Sequence, residues 1–191
     1  MRIIGGRCKG KKLYSVPGGA IRPSGGKLRE AVFNIAADLV PDARVLDLYA
    51  GTGAFGLEAL SRGAERAVLI DDDARAITTI KKNIQLLGME KRARCIRWDV
   101  SKNLNCIQAV HPPFELVFMD PPYDQPAIHD ALRHLSETRS LAADARVVIE
   151  HGVKTPFPEA FPPAFVEADR RKYGKSLVTF LDYVIGETTL L

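Results

Sequence analysis

Apolar residues along the chain fall into short dense runs, and between the runs they recur every three or four positions. The runs are Arg44–Leu48, Ala67–Ile70, Arg94–Trp98, Phe114–Met119 and Arg146–Ile149. Their length and continuity predict strands buried on both faces. The stretches 54–62, 74–87 and 127–137 carry helical spacing. So does Leu28–Val40, with apolar positions at Leu28, Val32, Ile35, Ala36 and Leu39. Strand alternating with helix predicts an α/β chain, a parallel sheet with helices on both faces. After the proline-rich stretch Pro156–Pro163 the pattern changes. Ala164–Arg171 and Leu177–Ile185 predict two strands joined closely enough to pair antiparallel, so the sheet ends in a C-terminal hairpin.

Composition adds little to this picture. With 191 residues, 46% apolar and 26% charged, the chain suits a single domain with a full core. No run approaches the roughly 18 apolar residues of a membrane span, and Met1–Arg7 has no apolar stretch of signal-peptide length. Cys8, Cys95 and Cys106 form no CxxC pair, which argues against structural zinc and a disulfide framework and for the cytoplasm. Nothing suggests an obligate interface, so a monomer without a bound metal is expected.

Charge changes the picture more by position than in total. Residues 1–29 hold Arg2, Arg7, Lys9, Lys11, Lys12, Arg22, Lys27 and Arg29 and no acid, a charge of +8 against +4 for the whole chain. A basic segment on a mildly acidic body predicts a polyanionic partner. Arg170, Arg171, Lys172 and Lys175 offer a second basic patch near the hairpin.

Candidate chemistry lies at the strand ends. In an open α/β sheet, ligands bind beyond the carboxyl ends of the strands, and here those ends carry Asp47, Asp71, Asp99 and Asp120. The first turn, Asp47-Leu48-Tyr49-Ala50-Gly51-Thr52-Gly53-Ala54-Phe55-Gly56, lets the backbone approach a ligand closely. An acid just before such a turn suits a cationic ligand better than a pyrophosphate, and S-adenosylmethionine carries both a sulfonium and an ammonium. Asp71, 18 residues beyond Gly53, is placed to accept from ribose hydroxyls, and Asp99 from the adenine amino group. Tyr49, Ala50, Gly51, Thr52, Gly53 and Phe55 of the turn, with Asp72 and Val100 beside the later acids, complete the predicted donor site.

Asp120-Pro121-Pro122-Tyr123 is the sharpest signal. Two prolines lock the backbone and donate nothing, which leaves the Asp120 carboxylate and a carbonyl as rigid acceptors. Such a set fits a planar amino group, with Tyr123 stacked on the ring that bears it.

On these residues the chain resembles the amino-group class of Rossmann-like methyltransferases, and within it the RsmD family. The resemblance takes in Arg2-Ile3-Ile4-Gly5-Gly6, Arg22-Pro23-Ser24, Arg29–Asn34, Asp47–Gly53, Gly56–Ala64, Asp120–Tyr123 and Tyr173–Ser176. The family usually has an acid and a basic residue after Arg-Pro-Thr, where this chain has Ser24 and then Gly25-Gly26-Lys27. The resemblance implies a seven-stranded, mostly parallel sheet and S-adenosylmethionine as donor. It implies methylation of a guanine N2 amino group in 16S ribosomal RNA, with an assembling small subunit as partner. Residues 1–28 are then an RNA-binding arm and 29–191 the methyltransferase domain. RNA contacts are expected from Arg2, Arg7, Lys9, Lys11, Lys12, Arg22, Lys27, Arg29 and Lys175. The same tetrapeptide also serves adenine-N6 DNA methyltransferases, and a factor that binds RNA without catalysis is a further alternative. A nucleotide-linked dehydrogenase fits the acid before the glycine turn poorly.

Overall fold

The computed structural model describes residues 1–18, 25–108, 112–121, 125–155 and 161–184. Seven strands form one sheet: β1 Arg44–Leu48, β2 Arg66–Asp71, β3 Ala93–Arg97, β4 Phe114–Met119, β5 Leu141–Gly152, β6 Phe165–Tyr173 and β7 Ser176–Tyr183. Their order is β3-β2-β1-β4-β5-β7-β6. The first five run parallel, and β7 pairs antiparallel with both β5 and β6. Helices α1 Gly26–Ile35, α2 Ala54–Ser61, α3 Ala74–Leu87 and α4 Gln125–Thr138 cover the faces. This is the class I methyltransferase fold, with the predicted terminal hairpin.

The core divides at the sheet. On one side α1, α2 and α3 bury Val32, Phe33, Leu57, Leu60 and Ile80 against Val45, Leu69 and Phe118. On the other, α4 buries Ile128, Leu132 and Leu135 against Leu46, Val117 and Val147. Alternate residues of β1 and β4 thus serve opposite cores, which is why those strands read as unbroken apolar runs. In α3, Asp73 caps the start by accepting from the Arg75 amide at 2.7 Å, and Gly88 ends it in the left-handed region.

Two boundaries differ from the sequence reading. Helix α1 stops at Ile35, and a 3-10 turn at Ala37–Leu39 leads toward Pro41, leaving Leu39 42% exposed. A helix cannot run into the residue before a proline without a clash. Strand β5 begins at Leu141, five residues earlier than expected, because its pairing with β4 shifts register after Phe114. Asp144 sits there at φ 60°, and exposed Ala143 and Asp144 break the apolar run.

The basic start is folded onto the body. The Ile3 amide donates to Lys11 O, and Leu13 to Met1 O, each at 3.0 Å, around a bridge between Arg2 and Lys12. Ile3 and Leu13 are buried in the helical core. Glu58 of α2, fully buried, accepts from the Ile4 amide at 2.8 Å and the Gly5 amide at 2.7 Å. A Cβ on Gly6 would fall 1.8 Å from the Ser61 carbonyl oxygen, so this loop lies backbone to backbone on the end of α2.

One predicted RNA contact is corrected here. Arg29 is 1% exposed and turns inward. Its Nη2 donates to Arg2 O at 2.6 Å, and its Nε lies 3.7 Å from Glu58. Burial pulls its pKa down while Glu58 pulls it up. Arg29 therefore ties α1 to the basic loop and has no free face for a phosphate. Arg2, Arg7, Lys9, Lys11, Lys12, Lys27 and Lys175 are all exposed, and Arg22 lies outside the described residues.

Candidate active site

The glycine turn leaves β1 and enters α2 directly over the sheet. Tyr49 stands at φ 58°, an uncommon conformation for a non-glycine residue. Gly51 and Gly53 follow at φ 56° and 77°. A Cβ on Gly53 would meet Leu69 Cδ2 at 2.8 Å, so both backbone angle and space call for glycine there. Ala50 donates its amide to Ile70 O at 3.0 Å. Thr52 is buried, and its carbonyl accepts from Asn83 Nδ2 at 2.9 Å. Asn83 also holds Tyr14 in both directions, accepting from its amide at 2.7 Å and donating to its carbonyl at 3.2 Å. One buried amide on α3 thus joins the basic start to the glycine turn.

Two predicted donor-site acids hold this turn as well as facing it. Asp47 is buried, and its Oδ2 accepts from the Gly56 amide at 2.9 Å, in the first turn of α2. Asp71 accepts from the Gly51 amide at 2.8 Å through one oxygen and from the Asp73 amide at 2.9 Å through the other. Burial raises the Asp71 pKa against these hydrogen bonds. Asp47 is pushed up to about 8, first by burial, with the Gly56 hydrogen bond opposing and the charges of Asp71 and Asp120 adding to the rise. Asp47 therefore feels the carboxylates at two other strand ends. Negative potential of this kind suits a cation.

Past β2 and β3 the crevice opens into a cleft of about 520 Å³ lined by Asp72, Arg97, Trp98, Asp99, Lys102 and Asn103. Asp99 accepts from the Ser101 hydroxyl at 2.6 Å and its amide at 3.0 Å, and lies 3.4 Å from Lys102 Nζ. Those contacts, led by the Ser101 hydroxyl, hold its pKa below the usual carboxylate range. Val100 is buried and its carbonyl bonds His134 at 3.0 Å, which ties the cleft floor to α4. The indole N–H of Trp98 donates to Asn103 O at 2.9 Å, fixing an aromatic ring in the cleft wall.

On the far side of β1, Asp120 follows the last residue of β4. Pro121 is buried behind it, and Pro122 and Tyr123 lie outside the described residues. A family description, Conserved hypothetical protein 95, matches residues 1–182 of the chain. The protein named Ribosomal RNA small subunit methyltransferase D from Escherichia coli K12 is 34% identical over 158 residues, covering 83% of this chain and 78% of the relative. The chain belongs to the RsmD family. A candidate ribosomal RNA methyltransferase of Bacillus subtilis is 36% identical, over 83% of this RsmD-family chain and 86% of its own length. A solved Escherichia coli structure, described as that of a candidate methyltransferase, superposes with a TM-score of 0.82 at 32% identity, covering 96% of this chain and 98% of its own.

Seen as an RsmD-family site, the crevice brings together Asp47, Tyr49–Gly53, Asp71 and Asp120, while Asp72, Asp99 and Val100 stand around the adjoining cleft. Phe55 is a correction. It was expected against the donor, but its ring packs in the core, with centroids 5.0 Å from Phe118 and 6.1 Å from Phe33. Trp98, Asn83 and Glu58 were missed. The only tryptophan, immediately before Asp99, was a usable signal for the cleft wall. Nothing in the local sequence marks Asn83, an amide on an ordinary amphipathic helix.

Proposed function

We propose that this RsmD-family chain transfers a methyl group from S-adenosylmethionine to the N2 amino group of a guanine in 16S ribosomal RNA. Its substrate is an assembling small ribosomal subunit, and it acts as a cytoplasmic monomer. The observation that carries this reading is the meeting of Asp47, Asp71 and Asp120 in one crevice beside a rigid Asp-Pro turn. The relatives' names support the choice of a ribosomal substrate.

The glycine turn and Asp47 would hold the donor's amino-acid part, Asp71 its ribose, and the Trp98–Asp99 cleft its adenine. The donor supplies an electrophilic methyl on a positively charged sulfur. Asp120 and the Pro121 carbonyl accept the two N–H bonds of the target amine, whose lone pair is otherwise delocalised into the ring. Holding both hydrogens draws the nitrogen toward tetrahedral geometry and stabilises the positive charge that grows on it as the new N–C bond forms. The nitrogen then gives up one proton, to Asp120 or through it to water. Pro122 stiffens the turn, and Tyr123 stacks on a base that has left its helix. Positioning supplies most of the remaining acceleration.

Residues 1–28 act as the RNA-binding arm, through Arg2, Arg7, Lys9, Lys11, Lys12, Arg22 and Lys27, with Lys175 at the hairpin tip. Their phosphate contacts make affinity fall steeply with salt. Arg170 and Arg171 add less positive charge to this surface, since Glu167 and Asp169 of the same strand pair with them at 2.5 and 2.7 Å.

The deciding assay is methyl transfer from labelled S-adenosylmethionine to undermethylated small subunits, naked ribosomal RNA and duplex DNA, followed by digestion to nucleosides. N2-methylguanosine from the ribosomal samples is the expected product. Methyladenine in DNA would reassign the chain to the adenine class, and no transfer to any sample would leave an RNA-binding factor.

A further inference from the structure

Near its carboxyl end, strand β5 carries a buried glutamate, Glu150. The parallel pairing of β4 and β5 runs to Met119 opposite Ile149, and the same register carried one residue further sets Asp120, just past the end of β4, beside Glu150 of β5. Parallel neighbours lie about 5 Å apart, and alternation puts residues two apart on the same face. Phe118 and Val148, two residues before each acid, both belong to the core under α1 and α2. Glu150 shares that face. It lines a narrow hollow with Leu28, Val32, Phe55, Phe118 and Val178.

The state of this side chain is unusual. Glu150 is only 8% exposed. Its Oε1 accepts from the Ser176 hydroxyl at 3.1 Å across the hairpin. Its Oε2 is buried and has no hydrogen-bond partner among the described residues. A carboxyl oxygen without a donor in an apolar surround is costly, and such groups call for a reason. Here the unmet need is for an N–H or O–H donor, next to the group that handles the target amine.

We infer that Glu150 Oε2 is the acceptor for the N1–H of the target guanine, and that Ser176 is a positioning residue that fixes Oε1 so that Oε2 faces the base. This rests on the methyl-transfer reading given above. Guanine, adenine and cytosine all carry an exocyclic amine, so acceptors for that amine alone cannot tell them apart. They differ at the ring atom beside it. Guanine has an N–H donor there, whereas adenine N1 and cytosine N3 are lone-pair acceptors. A fixed carboxylate oxygen at that point bonds guanine and sets lone pair against lone pair with the other two. Asp120 and Pro121 would then recognise the amine, and Glu150 its neighbour. Selection by an unpaired buried group is strong because the wrong base leaves that group unsatisfied.

The test uses 2-aminopurine, which keeps the amine of guanine but has an acceptor in place of N1–H. Wild-type protein is given the RNA substrate established by nucleoside analysis, with guanine or 2-aminopurine at the methylated position. The expected result is a preference for guanine of about 100-fold or more in kcat/KM. Glu150→Gln, whose amide can donate, should bind S-adenosylmethionine as wild type does. It should lose about 100-fold on guanine and narrow the ratio to within about 10-fold. Ser176→Ala should lower guanine turnover less and leave the sense of the preference unchanged. Equal wild-type rates on the two bases would overturn the inference without any variant, as would Glu150→Gln keeping both rate and preference. Wild-type protein that methylates no guanine in any RNA would instead sink the reading on which the inference stands.

Discussion

Toward the carboxyl ends of β1, β2 and β4 the ionisable groups are Asp47, Asp71 and Asp120, while at the amino ends of β1 and β2, and within β3, they are Arg44, Arg66 and Arg94. The basic rim frames a cleft of about 560 Å³, and the acidic rim adjoins, through Asp72, one of about 520 Å³. Yet the charges are treated differently. Arg44 meets Glu115 at 2.8 Å and Glu65 at 4.0 Å, and Arg66 meets Glu65 at 3.6 Å, all with side chains partly in water. These are surface ion pairs, and water has already screened them. Asp47 and Asp71 are withdrawn from water and accept from the backbone amides of Gly56, Gly51 and Asp73. Their pKa values move up as a result. The number of charges does not separate the acidic rim from the basic one. What separates them is whether a charge is left for a ligand to complete.

That comparison can be tested by removing one group at a time. The largest effect is expected from Glu58, buried like the rim acids but with no ligand to wait for. Glu58→Ala strands Arg29 and the amides of Ile4 and Gly5, which should cost about 3–5 kcal/mol. A melt should then fall by roughly 6–20 °C for a chain of this size, and a variant melting with wild type would show that the basic loop needs no anchor. Asp120→Ala should leave the melt in place and lower single-turnover methyl transfer by about 10²–10³-fold. Donor affinity should stay within a few fold, and near-normal turnover would remove Asp120 from the mechanism.

Asp47 gives a pH dependence of opposite sign for the free and donor-bound protein. Its pKa rises from 3.8 to about 8 on folding, so the folded chain prefers the protonated form. The contribution of Asp47 to the stability of the free protein is therefore most favourable at low pH and declines as pH climbs toward about 8. A cationic donor reverses the preference, so its affinity should rise over the same range, by up to about tenfold per unit, with proton release on binding. Calorimetry in buffers of different ionisation heat reads that release, and Asp47→Asn should abolish it. The smallest effect is expected at the opposite rim. Arg44→Met should change denaturant stability by no more than about 1 kcal/mol and leave methyl transfer alone.

Much of this was legible in the sequence because buried parallel strands show as apolar runs, and the acids that end them stand out as interruptions. Four of the five runs lie within a residue or so of observed strands. The first half of β5 was hidden by a bulge, where exposed Ala143 and Asp144 break the pattern. Arg29 was misassigned for a different reason. Its charge was visible but its burial was not, since its partner Glu58 is 29 residues away on another helix. Glu58 in turn looks like any helical glutamate, and its four partners are assembled only by the fold. Contacts of this range have no local signature.

The double hold of Asn83 on Tyr14 has a temporal consequence. Tyr14 and Asn83 are 69 residues apart, and Ile4 and Glu58 are 54 apart. At about 5–20 residues per second of synthesis, Tyr14 is made roughly 3–14 s before the residue that pins it exists. The earliest segment made thus cannot settle until α3 exists. The turn above β1 reaches its finished shape only when α3 has closed over both.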